Sequence, residues 1–379
     1  MIEALYQSIL QNISFAALFF TFLFVLIIQL FYFWIFFSRL AFAKQTLKRE
    51  DKPPVSVIIV ANNQYEDLRK NLPEILNQDY PNYEVVVVNE NSEDGSDELL
   101  DRFSEQYSHL RIVEMKQSLN WFKGRKFPLS IGIKSGKHDI LLLTDIRCRP
   151  ISSRWISEIV AVYGDHTEIV VGYSTFHTLS KINLWFRFAA FYDGLLYLSM
   201  ALARSTFKGI GRNLSYRKTL FYNQNGFSSH YTINAGDDEL FINKAATSTN
   251  VQVQTSLASM VEYTKPMSFS QWLSNEKTRL STRSHFKFWH RIVISLFSTS
   301  TFLFYLLFVL LLILNLHWPF VVGLFLLRLV SQLIIFGNAQ KKLFEKKLLM
   351  LSPFLEILLM FIDLFIWFRM MFVRQKKWN

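Results

Sequence analysis

Three consecutive carboxylates follow a glycine and precede an apolar stretch in the segment Gly236-Asp237-Asp238-Glu239-Leu240-Phe241. Adjacent acids repel one another, so such a cluster on a folded domain serves either to bind a cation or to transfer a proton. The alternative is a helix N-terminus, where acidic side chains interact favourably with the helix dipole. A second polar motif, Gly211–Arg217, lies about 25 residues upstream.

Three further polar residues, Asn62, Glu90 and Asp145, each lie just after a short apolar run. The runs have the length and composition of buried β-strands. Ligands of a parallel sheet bind at the carboxyl ends of its strands. We therefore expect these three side chains to surround one crevice.

The segment that must position these residues alternates strand and helix patterns. Its strand patterns are Val55–Val60, Glu84–Val88, Arg111–Glu114 and Ile140–Leu143, and its helix patterns are Tyr65–Leu76, Ser96–Phe103 and Leu129–Ser135. Such alternation predicts an α/β fold with a mostly parallel sheet and helices on both faces.

The ends of the chain are strongly apolar. Of 379 residues, 51% are hydrophobic, and no charged residue occurs in residues 4–38 or 292–316. Each of these runs exceeds the roughly 20 residues that cross a bilayer. Residues 318–336 and 348–373 are weaker candidates because charges interrupt them. We predict flanking transmembrane helices, with the chain divided into an anchor, an α/β domain and a region of two or three spans over residues 1–43, 44–290 and 291–379.

The distribution of Lys and Arg predicts the orientation. Basic residues follow the first apolar run and none precedes it, which places the N-terminus outside and residues 44–290 in the cytoplasm. The basic stretch 341–347 is then cytoplasmic as well. A further crossing would leave Arg374–Lys377 outside, against the rule. Residues 348–373 therefore either cross the membrane or lie along its interface.

The net charge of +11 has two readings, because basic proteins bind either nucleic acid or anionic lipid head groups. We expect membrane lipids and no nucleic acid, since the chain carries no nucleic-acid-binding motif. Cys148 is the only cysteine, which excludes an intrachain disulfide.

Several motifs, in order along the chain, resemble the membrane-bound family 2 glycosyltransferases. These are inverting enzymes with a GT-A fold that use nucleotide-sugar donors. The resemblance covers about residues 52–285. Besides the opening strand and helix, it rests on the motifs Gln78–Val85, Val88–Asp94, Thr144–Pro150, Gly211–Arg217, Gly236–Phe241 and Ser270–Leu280.

The resemblance implies a role for each candidate site residue. Asp238 is the expected catalytic base, and Asp237 or Glu239 beside it would raise its proton affinity. The residues expected to bind the donor are Asn62, Glu90, Asp94, Lys126, Asp145, Arg147 and Arg279. Those expected to bind the acceptor are Arg212, Asn213 and Trp272. Asp145 is also the expected metal ligand.

One departure from the family pattern concerns the metal. Arg147 stands where a second acid of the DxD motif would hold Mg²⁺ or Mn²⁺ on the donor diphosphate. Either the metal binds through Asp145 with Arg147 turned away, or Arg147 supplies the positive charge itself. We expect weakened metal dependence.

Other departures affect the nucleotide loops and the QxxRW-like element. Gln64 and Glu90 replace a glutamate and an aspartate, while Glu276 and Leu280 replace the glutamine and tryptophan around Arg279. The expected function is transfer of a sugar from a nucleotide-sugar donor to a lipid-linked or glycan acceptor at the cytoplasmic face of a bacterial inner membrane. The alternative is a catalytically weak relative that serves as a scaffold or binding subunit of an envelope glycan assembly.

Overall fold

A computed structural model describes residues 13–44, 51–115, 124–176, 183–233, 235–265, 267–315 and 317–372. The chain forms two compact units. The first comprises Met1–Ala43, Phe288–Lys341 and Glu345–Asn379, and we call it the membrane unit. The second comprises Lys44–Lys287 and Lys342–Phe344, and we call it the α/β unit.

The described α-helices follow one another in chain order. They are α1 (Ile13–Phe31), α2 (Tyr65–Leu76), α3 (Ser96–Gln106), α4 (Lys126–Ser135), α5 (Trp155–Val160), α6 (Asn183–Leu202), α7 (Lys218–Asn223), α8 (Glu239–Ala245), α9 (Phe269–Arg283), α10 (Phe288–Ile313), α11 (Trp318–Lys342) and α12 (Ser352–Phe372). A π-helical segment, Tyr32–Phe37, and a short helix, Ser38–Ala41, continue α1.

The described strands form two sheets in the α/β unit. They are β1 (Val55–Ala61), β2 (Tyr83–Glu90), β3 (Leu110–Met115), β4 (Ile140–Leu143), β5 (Cys148–Pro150), β6 (Ile169–Val171), β7 (Ser174–Phe176), β8 (Leu214–Arg217), β9 (Val251–Val253) and β10 (Val261–Tyr263). The large sheet has the order β3-β2-β1-β4-β8-β6-β9, and the small sheet has the order β5-β10-β7.

The large sheet is mostly parallel, as the sequence predicts. β8 pairs antiparallel with both β4 and β6, while the other pairings in this sheet are parallel. Every residue of β1 and β4 is buried. These strands lie in the middle of a sheet that is covered on both faces, which explains why their residues are apolar apart from Ser56 of β1. Their carboxyl ends place Asn62, Glu90 and Asp145 at one edge of the sheet.

The membrane unit contains four described helices that are long and apolar enough to cross a membrane: Phe15–Ala41, Phe288–Ile313, Trp318–Lys342 and Leu349–Met370. The first packs against α10 through a phenylalanine-rich core that includes Phe22 and Phe304. The last matches the apolar run 348–373. The basic segment Arg374–Lys377 lies outside the described residues.

A buried polar network joins α1, α10, α11 and α12 within the membrane unit. The Arg328 guanidinium contacts the Glu356 carboxylate at 2.9 Å, and both side chains are 1% exposed. Arg328 also donates to Gln29, Tyr305 and Gln332. If residues 348–373 cross the membrane, the sequence predicts that Arg328 and Asp363 both fall near mid-bilayer and neutralise each other. The structure instead pairs Arg328 with Glu356, which lies two helical turns before Asp363 on the same face of α12.

Candidate active site

Asp145 lies at the bottom of a cluster of arginine side chains at the carboxyl edge of the large sheet. Arg147 forms a bidentate hydrogen bond with Asp145, from Nε to Oδ1 at 2.8 Å and from Nη2 to Oδ2 at 2.5 Å. Arg125 adds a bond from Nη1 to Oδ2 at 3.1 Å. Burial raises the pKa of Asp145, but the bond from Arg147 and the two nearby positive charges outweigh it and hold the pKa below its usual range.

The loops after β1 and β2 lie against each other at the same edge. The Asn62 amide donates to the Glu90 carbonyl oxygen at 2.5 Å. Burial raises the pKa of the Glu90 carboxyl, and Arg125 opposes that shift, which places Arg125 near Glu90 as well as Asp145. Asp94 accepts bonds from the backbone of Tyr65 and from Ser96. The predicted convergence of Asn62, Glu90 and Asp145 is therefore present.

Lys126 faces away from Asp145, although it follows Arg125 directly. Its ammonium donates to the carbonyl oxygens of His230, Ile233 and Ala235 at 2.6, 2.5 and 2.8 Å. The side chain is thus buried against the loop that precedes the acid cluster. Burial lowers the pKa of Lys126 to about 8, against the opposing effect of Asp237 and Asp238. The ammonium is therefore the main form at neutral pH.

The three acids have different surroundings. Asp238 is the N-cap of α8: its Oδ1 accepts from the Glu239 backbone at 2.7 Å, and its Oδ2 accepts from the Gly211 backbone at 2.6 Å. Burial and the neighbouring Asp237 charge raise the pKa of Asp238. Within the described residues, no hydrogen bond reaches the half-buried Asp237 carboxylate. Gly236 has φ of +88°, and a side chain there would collide with Leu240.

Glu239 belongs to a buried ion network that ties α8 to α6 and α9. Lys208 contacts Asp193 at 2.7 Å and Glu239 at 3.4 Å. Thr282 donates to Glu239, and Arg279 contacts Asp193 at 3.4 Å. Burial raises the pKa of Glu239, while Lys208 opposes it. Arg279 is therefore linked to Glu239 of the acid cluster through Asp193 and Lys208.

Residues 56–231 match a family model described as glycosyl transferase family 2. This part of the chain is a family 2 glycosyltransferase domain. The probable glycosyltransferase YdaM of Bacillus subtilis is 33% identical over 98 residues, which are 25% of this chain and 23% of that protein. Glycosyltransferase AglE of Haloferax volcanii is 32% identical over 123 residues, which are 32% of this chain and 39% of that protein. The matches thus span less than half of each relative.

The fold has a counterpart among solved structures. The mannosyltransferase PcManGT from Pyrobaculum calidifontis, solved in complex with GDP-Man and Mn²⁺, covers 92% of this chain and 100% of its own. The TM-score is 0.57 and the sequence identity is 17%. This likeness concerns the fold, and it agrees with the GT-A architecture of the α/β unit.

The acceptor-side predictions for the glycosyltransferase domain fall in three different settings. Arg212 lies over the rings of Phe176 and Tyr263. Asn213 is fully buried, and its amide donates to the Tyr173 and Ser259 carbonyl oxygens and accepts from the Trp155 indole.

Trp272 is also buried, edge-on to Trp185 at a centroid distance of 5.3 Å. Asn213 and Trp272 thus serve the core in this structure. Of the acceptor-side predictions, we carry only Arg212 into the proposed site.

The residues around Asp145 do not fit a divalent cation. Both carboxylate oxygens are already bonded to guanidinium groups. Within the described part of the chain, no group of three or more His, Cys, Asp or Glu side chains is arranged to hold a metal ion. A cation at Asp145 would displace one arginine and remain beside another positive charge.

Sequence reasoning missed Lys208, Asp193 and Thr282. The family resemblance places Gly124-Arg125-Lys126 in a basic loop near the diphosphate and pointed to Lys126, whereas in the structure it is Arg125 that bonds to Asp145. Thr282 and Glu239 are 43 positions apart, and no local signal joins them. Each of these contacts depends on how α4, α6 and α9 pack.

Proposed function

We propose that this protein is an inverting glycosyltransferase that moves a sugar from a nucleotide-sugar donor to a lipid-linked or glycan acceptor. One observation carries the proposal: two pairs of adjacent residues join the donor edge to the acid loop. In the first pair, Arg125 bonds to Asp145 while Lys126 holds the carbonyls that precede Asp237.

The second pair is Gly211 and Arg212. The Gly211 backbone donates to Asp238, and the Arg212 carbonyl accepts from Thr144 at 3.0 Å, next to Asp145. In each pair, one residue contacts the donor edge and the next residue contacts the acid loop. The acids are therefore held close to a donor bound beside Asp145, as transfer to an adjacent acceptor requires.

The geometry favours Asp237 over Asp238 as the base. A general base must present a free oxygen to the proton that it removes. Asp238 already receives a backbone N–H on each oxygen, whereas Asp237 has its carboxylate free within the described residues. Asp238 then positions the loop, and Glu239 anchors it to the ion network.

The proposed reaction forms a glycosidic bond to the acceptor and breaks the glycosyl phosphate bond of the donor. The acceptor hydroxyl gives its proton to Asp237, and its oxygen attacks the anomeric carbon from the face opposite the diphosphate. The bond between that carbon and the phosphate oxygen breaks, and its electron pair stays on the nucleoside diphosphate. This single displacement inverts the anomeric configuration. The growing negative charge on the leaving group requires a fixed positive partner.

The resemblance and the solved mannosyltransferase guide the choice of donor. GDP-Man is bound by that neighbour, so GDP-mannose belongs in the first test panel beside UDP-hexoses. Mg²⁺ or Mn²⁺ on the donor diphosphate is the family's usual arrangement and the alternative to an arginine site in this chain.

We further propose that the α/β unit works at the cytoplasmic face of a bacterial inner membrane. The basic residues that follow the first span support this orientation, as does the dependence of nucleotide-sugar enzymes on a cytoplasmic donor supply.

The test is turnover by the full chain in detergent, with release of free nucleotide measured across the donor panel and lipid extract as acceptor. We expect one donor to be hydrolysed or transferred well above the background of the Asp237→Asn variant. NMR of the product then reports the anomeric configuration. Retention would refute the single displacement. Absence of turnover with every donor and extract, from a folded protein, would refute the enzyme proposal and favour the scaffold alternative that Arg147 suggests.

A further inference from the structure

We propose that Arg125, Arg147 and Arg212 form a diphosphate-binding site that replaces the divalent cation, so that donor binding by this protein needs no metal. This inference rests on the proposed function, because it assigns the donor to the Asp145 edge. It concerns a binding event, however, and its test does not depend on turnover.

The first step concerns the openness of the guanidinium groups. The Asp145 side chain is 4% exposed, while the Arg125 and Arg147 side chains are each 36% exposed. The Asp145 carboxylate is therefore buried beneath the two arginine side chains, which reach the protein surface. Each arginine uses only part of its five N–H donors on Asp145, so further donors remain available to a ligand. Asp145 orients the arginines and does not consume them.

The second step concerns Arg212. The Tyr263 ring lies 5.5 Å from the Arg212 guanidinium and 5.7 Å from that of Arg147. The Tyr263 ring on β10 therefore contacts both guanidinium groups. The centroid of the Phe176 ring lies 5.4 Å from the guanidinium carbon of Arg212. Stacking on aromatic rings fixes a guanidinium plane and leaves its edge free for hydrogen bonds.

The third step is the balance of charge. Arg125 and Arg147 contact Asp145, Arg125 lies near Glu90, and Arg212 shares the Tyr263 ring with Arg147. The three guanidinium groups carry one more charge than the two carboxylates, which leaves an excess of positive charge among these residues. A planar guanidinium bonds two phosphate oxygens at once. A nucleoside diphosphate offers oxygens on two phosphates, which suits several fixed guanidinium groups better than one point charge. A cation placed at Asp145 would instead meet the repulsion of the same arginines.

The experiment measures binding of inorganic pyrophosphate, UDP and GDP to the full-length wild-type protein by calorimetry. One sample contains excess EDTA and the other contains Mn²⁺. We expect the affinities in the two samples to agree within about threefold. Replacing one charged hydrogen-bonding partner typically weakens binding by about tenfold or more, so Arg147→Gln should lose at least that much affinity for pyrophosphate.

A matched control lies two residues away. Arg149 has a side chain that is 35% exposed and pairs with Glu262, so it resembles Arg147 in exposure and charge but lies outside the proposed site. Arg149→Gln should bind pyrophosphate as the wild type does. If Arg147→Gln does not fold, Arg125→Gln provides the same comparison, and the EDTA measurement needs no variant.

Three results would overturn the inference. The first is loss of binding in EDTA that Mn²⁺ restores. The second is unchanged binding by a folded Arg147→Gln variant. The third is loss of binding by the wild type in EDTA together with Mn²⁺-dependent binding by Arg147→Asp that exceeds the wild type's. Metal-independent pyrophosphate binding without turnover of any nucleotide sugar would support the site and count against the proposed function, so the two failures are distinguishable.

Discussion

The comparison of Asp237→Asn with Asp238→Asn separates the catalytic acid from the structural one. Both substitutions keep the size of the side chain and remove one negative charge. At position 237 no hydrogen bond within the described residues is lost, and repulsion with Asp238 is relieved. We expect stability to stay within about 0.5 kcal/mol of the wild type, while turnover falls by about 10² or more because the base is gone.

Asp238→Asn should show the opposite balance. One backbone N–H, from Gly211 or Glu239, would face the new amide NH₂ in place of an oxygen. A hydrogen bond to a charged group contributes about 1.5–3 kcal/mol, whereas asparagine caps a helix about as well as aspartate. Relief of charge repulsion offsets part of the loss, which leaves a cost of about 1–2 kcal/mol. In a unit of this size that cost lowers Tm by about 2–8 °C.

The assay combines initial rates of nucleotide release with thermal unfolding of the same detergent samples. Asp101→Asn, which replaces an exposed acid on α3, controls for the loss of one negative charge. A folded Asp238→Asn variant that has lost turnover without losing stability, beside an active Asp237→Asn variant, would refute this reasoning. The base would then be Asp238, as the family resemblance alone implies.

Two further predictions concern the membrane unit. Glu356→Gln leaves the buried Arg328 charge unpaired, so it should destabilise the protein by about 3–5 kcal/mol, whereas the exposed Lys341→Gln control should not. The double variant with Arg328→Gln should recover part of the loss, and thermal unfolding that shows no such recovery would refute the coupling. For orientation, Glu93→Cys and Leu314→Cys should react with an impermeant thiol reagent from opposite sides of the membrane, since the single native cysteine is buried; labelling from the same side would contradict the model.

The sequence predicts the first half of the α/β unit well because its signals are local. β1, β2 and β4 each contain an apolar run of at least four residues, and α2 has the predicted bounds Tyr65–Leu76. The small sheet was not predicted, since three-residue strands such as β5 and β10 are too short to show a period. Their pairing depends on contacts between distant parts of the chain.

The site shows the same limit at the level of single side chains. Residue types and order indicate that acids and arginines meet at the sheet edge, and they do. The direction of each side chain is set by where a helix begins. α4 begins at Lys126, so Arg125 and Lys126 diverge toward Asp145 and toward the acid loop. α8 begins at Glu239, which makes Asp238 its cap and leaves Asp237 free.

These two sides of the site should differ in their response to pH. At the donor edge, ion pairing lowers the pKa of Asp145 and raises that of Arg147, so both stay charged across the neutral range. At the acid side, burial raises the pKa values of Asp238 and Glu239 and lowers that of Lys126 to about 8. We expect Asp145 and Arg147 to add little pH dependence of their own to donor binding, while turnover falls at both ends.

The acidic fall follows because raised carboxyl pKa values bring protonation closer to neutral pH. The alkaline fall follows because Lys126, which has a lowered pKa, loses a proton above about pH 8 and can then donate to only two of its three carbonyls. Lys126→Arg keeps its charge in this range, so it should move the alkaline limb upward even if its maximum rate is lower. His230, Asp237 and Asp238 face Lys126 and are unchanged in that variant. An alkaline limb that stays in place would show that another group causes it and that Lys126 does not control the acid loop by its charge.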